Sequence, residues 1–108
     1  MPGPRSRALA ERLRAVENPE VTFLGDPSPI FWERGRGVNV WDADGNRYVD
    51  LLAGFGAAVV GYAQPELEAA VAAQVGRLQH AMGDVYPAER KLELLEALAR
   101  VLPGGLGS

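Results

Sequence analysis

One stretch constrains the fold of this chain more than any other, the run from Val38 to Pro65. It opens with Val38-Asn-Val-Trp-Asp42, passes Asp44-Gly45, and resumes as Arg47-Tyr-Val-Asp-Leu51. Apolar and aromatic residues alternate with polar ones on both sides of an Asp-Gly centre, which is the pattern of two antiparallel strands around a tight turn. Ile30 to Arg34 supplies a further strand, and Gly35-Arg36-Gly37 reads as the turn between it and Val38–Asp42. With Ala43–Asn46 as the second turn and Arg47–Leu51 as the last strand, the expectation is a three-stranded antiparallel meander.

The flanks read as helices. Residues 5–17 place Ala8, Leu9, Leu13 and Val16 on one side and arginines on the other, and Asn18-Pro19 ends the helix. Residues 19–29 hold three prolines around Val21, Phe23 and Leu24 and read as an irregular arm. After the meander, residues 52–63 are almost all small or apolar, with glycines at 54, 56 and 61. Such a segment reads as a surface that something else covers. Pro65 at the first helical position, with Glu66 behind it, starts a helix with Leu67, Ala70, Val71, Gln74, Val75 and Leu78 on one stripe. Residues 80–87 form a loop. Glu89–Leu102 is the last helix, with Leu92, Leu95, Leu98, Ala99 and Leu102 inward, and Pro103-Gly-Gly stops it. The fold class expected is α+β: the meander plus amphipathic helices, divided into a helix and arm over 1–28 and the meander with its helices over 29–108.

The composition removes several function classes. The net charge of −3 creates no general attraction to nucleic acid, and the arginines among residues 5–14 read as a solvated helix face. The chain has no cysteine, so thiolate metal sites and disulfides are excluded. No apolar run approaches the ~20 residues that span a bilayer, and Met-Pro-Gly-Pro-Arg lacks the apolar centre of a secretory signal. A cytoplasmic location without membrane or nucleic-acid partners is the expectation.

The tempting motifs fail on spacing. Gly54-Phe55-Gly56 begins like a dinucleotide fingerprint, but Val59 stands where the third glycine belongs and the helix opens only at Pro65. Asp42-Ala-Asp44-Gly45 suggests a calcium loop, yet the glycine is fourth rather than sixth and Ala53 holds the twelfth position. A hairpin turn accounts for these residues, since Asp accepts local backbone donors and Gly takes positive φ. His80, the lone histidine, suits a helix end or the core better than a direct chemical role. Lys91, the lone lysine, lies beside Glu93 and Glu96 on a surface helix, without the desolvated pocket a Schiff-base lysine needs. Trp32, Trp41 and Tyr48 read as core aromatics. Phe55, between two glycines, is set up to be presented to a pocket. No catalytic, cofactor-binding or metal-binding residue is expected in this stretch of chain.

From Pro29 to Pro103 the sequence resembles, without gaps, the amino-terminal region of class III aminotransferases of the 4-aminobutyrate, acetylornithine and ornithine type. The likeness rests on Pro29-Ile-Phe31, on Val40-Trp-Asp-x-Asp-Gly-Asn-Arg-Tyr-Val-Asp50, and on Gly54 with Gly61-x-x-x-Pro65. Ala69-Ala-Val-x-x-Gln74 and Leu78-x-His80 continue it. The resemblance implies a homodimer of fold type I that moves an amino group between an amino acid or ω-amino acid and a 2-oxo acid through pyridoxal 5'-phosphate (PLP). It implies a substrate-side position for Phe55, flanked by Gly54 and Gly56, where the family commonly carries isoleucine or valine. It places Asp84, commonly glutamine, near the active-site entrance and the neighbouring subunit. Tyr62 and Gln64 stand where histidines are common. The family's Gly-Ser phosphate turn, its aspartate on the pyridine nitrogen and its Schiff-base lysine follow later in sequence. The expectation is therefore an N-terminal fragment of a PLP enzyme, silent by itself. Two alternatives stay open. One is an aminomutase acting on glutamate semialdehyde, although the Trp-Gly-Pro usual there around position 55 is missing. The other is a non-enzymatic interaction module that binds through residues 52–63.

Overall fold

The computed structural model describes residues 2–104. Their elements are α1 (Pro4–Arg14), β1 (Trp32–Arg36), β2 (Asn39–Asp42), β3 (Arg47–Val49), α2 (Pro65–Arg77) and α3 (Glu89–Val101). The three strands form one antiparallel sheet in the order β1-β2-β3, so the α+β meander stands as expected. The chain divides into two compact units, Met1–Glu68 and Ala69–Ser108.

In the first unit the Asp42–Asn46 turn is built by one side chain. The Asp42 carboxylate is fully buried and accepts the backbone N–H groups of Asp44 (3.0 Å) and Asn46 (2.8 Å). It also takes the Asn46 side-chain amide and the Tyr48 hydroxyl, each at 2.9 Å. Burial alone pushes this carboxyl up, but the four donors outweigh it and leave it below its ordinary value. Gly45, at φ 85°, closes the turn. This is the hairpin that the aspartates and glycine predict.

The neighbouring Asp44 reaches further. Helix α1 begins at Gly3-Pro4 with no side-chain cap of its own. The Asp44 carboxylate takes that place from the far end of the meander, accepting the N–H groups of Arg5 (2.8 Å) and Ser6 (2.9 Å). A carboxylate there satisfies orphan donors and faces the positive end of the helix. The buried residues of this unit are Ser6, Ala10, Val40, Asp42 and Ala43, and the Ser6 hydroxyl oxygen accepts the Phe31 N–H. The arginines of α1 face solvent, as the sequence predicts.

Two expectations are corrected. Strand β1 runs through Gly35 and Arg36 rather than stopping at Arg34, and the reversal falls at Gly37-Val38, where Gly37 has φ 57°. The reason is steric: the ring of Tyr62 lies against Gly35, so the glycine serves close packing instead of a turn. The apolar stripes of α2 and α3 have the predicted spacing but are not buried. Leu67, Val71, Val75, Leu92, Leu95 and Leu98 are all exposed. A helix face without a covering partner stays wet whatever its periodicity.

Candidate substrate-facing loop

Residues 51–60 form a continuous series of turns between β3 and Tyr62. Four consecutive residues, Ala53, Gly54, Phe55 and Gly56, have φ of 48°, 58°, 57° and 84°. They make a short left-handed turn, closed by the Gly56 N–H on the Leu52 carbonyl (3.0 Å) and the Ala58 N–H on the Ala53 carbonyl (2.8 Å). Glycine takes this conformation freely, whereas each non-glycine residue costs roughly 1–2 kcal/mol. Ala53 and Phe55 therefore carry strain, of the kind concentrated at ligand-facing sites. Phe55 is 96 % exposed at the crest. It thus stands apart from the buried Ala10, Val40 and Ala43 of the same unit.

The loop is pinned at its base. The Asp50 carboxylate accepts the N–H groups of Leu52 (2.9 Å) and Gly54 (2.8 Å) and the Tyr62 hydroxyl (2.7 Å). The Tyr62 hydroxyl is the main influence holding the Asp50 carboxyl below its usual range; the amides add to it and outweigh the opposing effect of burial. The same contact pushes the Tyr62 phenol up. Tyr62 is itself fixed on the sheet. Its N–H and carbonyl pair with those of Gly37 at 2.8 Å each, and its ring meets Trp32 edge-on at 6.3 Å. Trp32 is half exposed rather than a core residue. Trp41 lies under the Arg34 guanidinium, 3.7 Å from the ring centre.

The other singled-out residues lie in the second unit. Asp84 is exposed at the tip of a tight turn that the Val85 and Tyr86 N–H groups close on the Met82 carbonyl. His80 is exposed beyond the end of α2, so it is not a core histidine. Gly54, Phe55 and Gly56 form one constellation in the first unit, and Asp84 lies in the second. Asp50 and Tyr62, which organise the loop, went unnoticed as site residues in the sequence. The only hint was a tyrosine where the family carries histidine.

Pyridoxal phosphate needs a lysine amine in a desolvated pocket and an anchored phosphate. Lys91 does not fit: it sits on the exposed first turn of α3 and donates to the Gly83 carbonyl. The described residues thus assemble no seat for that cofactor. Among them no His, Asp or Glu cluster is placed to hold a metal, and no helix is long and apolar enough to cross a membrane.

The chain is similar to known proteins over nearly its whole length. Over 103 residues the chain is 40% identical to an alanine/serine racemase of Pyrococcus horikoshii, covering 94% of this chain and 21% of the racemase. Over 101 residues it is 38% identical to a glutamate-1-semialdehyde 2,1-aminomutase of Symbiobacterium thermophilum, covering 90% and 22%. The structure of an omega-transaminase from Sphaerobacter thermophilus superposes with a TM-score of 0.79 at 33% identity, over 94% of this chain and 23% of that one. The chain thus spans about a fifth of the length of the curated relatives it matches. Residues 23–106 match the family described as aminotransferase class-III, and the chain belongs to that family.

Proposed function

We propose that this chain is the N-terminal part of a fold type I, PLP-dependent aminotransferase. The complete protein transfers an amino group between an amino acid or ω-amino acid and a 2-oxo acid. The observation that carries this reading is the family match running through the loop that holds Phe55 out on a strained left-handed turn. A bulky, solvent-facing ring on a backbone with few conformational choices suits the wall of a substrate pocket, and Gly54 and Gly56 keep the space beside it open. A Cβ at Gly56 would meet nothing within 4 Å, whereas one at Gly54 would crowd the Tyr62 hydroxyl at 3.0 Å. Asp84 belongs to the active-site entrance in this reading. PLP is held by residues other than those described, and the segment alone does not transfer amino groups. The exposed apolar faces of α2 and α3 support a homodimeric parent.

The test is amino transfer by the full-length protein with PLP, over a panel of α- and ω-amino donors and 2-oxo acids, followed by chromatography of the new amino acid. Transfer to an acceptor supports the reading; cofactor-loaded protein that transfers to none overturns it. The similarity to an aminomutase and a racemase favours a second reading, in which the amino group stays within one carbon skeleton. Such a reaction consumes no 2-oxo acid acceptor, so turnover that persists when the acceptor is omitted selects it.

A further inference from the structure

We propose that Asp50 and Tyr62 are positioning residues, a clasp that sets where Phe55 stands and so which substrates the pocket accepts. The inference rests on the aminotransferase reading and assigns to that site two residues outside its wall. Within the described residues Leu51, Leu52, Phe55, Val59 and Val60 are all exposed, so the left-handed turn is held by hydrogen bonds, those along its own backbone and those gathered at its base. One carboxylate gathers the amides of Leu52 and Gly54, on either side of the point where the turn begins, and ties both to the Tyr62 hydroxyl. That hydroxyl is delivered from a rigid base: the Tyr62 backbone is paired with Gly37, and its ring is seated on Gly35 and against Trp32. The sheet therefore dictates the position of Asp50, and Asp50 dictates where the turn starts. A non-glycine residue at positive φ, such as Phe55, relaxes when such restraints are removed.

Tyr62→Phe is the informative change, because it keeps the ring and the backbone pairing and deletes only the hydroxyl. In the full-length PLP-loaded protein, the Leu52 and Gly54 amides should exchange with solvent roughly tenfold faster, since a hydrogen bond to a charged acceptor is lost. The Trp41 and Tyr48 amides should keep their wild-type rates. Discrimination between amino donors of different length should weaken, mainly through KM, while kcat for the best donor stays near its wild-type value. Asp50→Asn, which keeps the shape and removes the charge, should shift both readouts in the same direction. Unchanged exchange at Leu52 and Gly54 would overturn the clasp whatever the activity. Faster exchange with unaltered donor discrimination would overturn the positioning role. Wild-type protein that transfers to no acceptor refutes the aminotransferase reading instead, and amide exchange alone then decides whether the clasp exists.

Discussion

Replacing Gly35 by alanine puts the packing of Tyr62 on the sheet to a direct test. A Cβ at position 35 would lie 2.5 Å from Tyr62 Cγ and 2.8 Å from its Cβ and Cδ1, whereas ordinary contact begins at 3.4 Å. The ring has to yield by up to 0.9 Å, the difference between 3.4 and 2.5 Å. It cannot withdraw easily, because its backbone is bonded twice to Gly37 and Trp32 stands at its edge. Overpacking of this kind costs about 1–3 kcal/mol, and a neighbour held on two sides puts the cost at about 2–3. Alanine also narrows the unfolded ensemble, which offsets about 0.4–1 kcal/mol. The clash wins, and a net loss of about 1–2.6 kcal/mol lowers the melting temperature by roughly 4–21 °C in a domain of this size. Gly37→Ala is the contrasting change: a Cβ there meets nothing within 4 Å, so only the positive φ of 57° is penalised. Thermal unfolding of Gly35→Ala, Tyr62→Ala and the double variant would separate steric from conformational causes. If Tyr62 is the obstacle, the double variant loses less than the sum of the two single losses. A Gly35→Ala protein within about 0.5 kcal/mol of the parent, or strict additivity in the double variant, would refute the reasoning.

Phe55→Gly removes an exposed ring from a left-handed position, so the melting temperature should hold or rise; a loss of about 3–5 kcal/mol would mark Phe55 as a core residue after all. Asp42, Asp44 and Asp50 all have carboxyls lowered by folding, so the stability they add is complete above the ordinary value of 3.8 and drains away as pH falls through the depressed native values. Acid titration should show it in that window, and a fold whose stability is flat from neutrality to below pH 3.8 would contradict the three networks. Borohydride treatment of this chain with PLP should leave no selective adduct on Lys91, checked by peptide mapping, because its amine is exposed and bonded to the Gly83 carbonyl.

What could be read from the sequence is mostly what is decided locally. The Asp42–Asn46 turn was legible because its donors lie within six residues of the carboxylate that gathers them. Helices α2 and α3 were legible in their limits, since Pro65 starts one and Pro103 follows the other. The display of Phe55 could be anticipated from its flanking glycines, but the extension of the left-handed turn back to Ala53 could not, because alanine carries no signal for it. Gly35 reads as a turn residue in sequence because its need for a missing side chain comes from Tyr62, far along the chain. Asp44 looked like a turn residue and also caps a helix 38 residues away at Ser6. The stripes of α2 and α3 predicted a buried face correctly in spacing and wrongly in outcome, since periodicity says which side is apolar and not whether anything lies on it. Family likeness carries the functional proposal; no side-chain cluster among the described residues does so alone.

The remote cap on α1 also orders events along the chain. The carboxylate that completes the first turn of α1 lies 39 residues further along the chain. An 11-residue helix is too short to persist in water by its own propensity. The hairpin that carries Asp44 joins near neighbours in sequence, so its closure is quick, whereas uniting residue 5 with residue 44 closes a much longer loop. Helix α1 therefore settles after the meander onto which it docks.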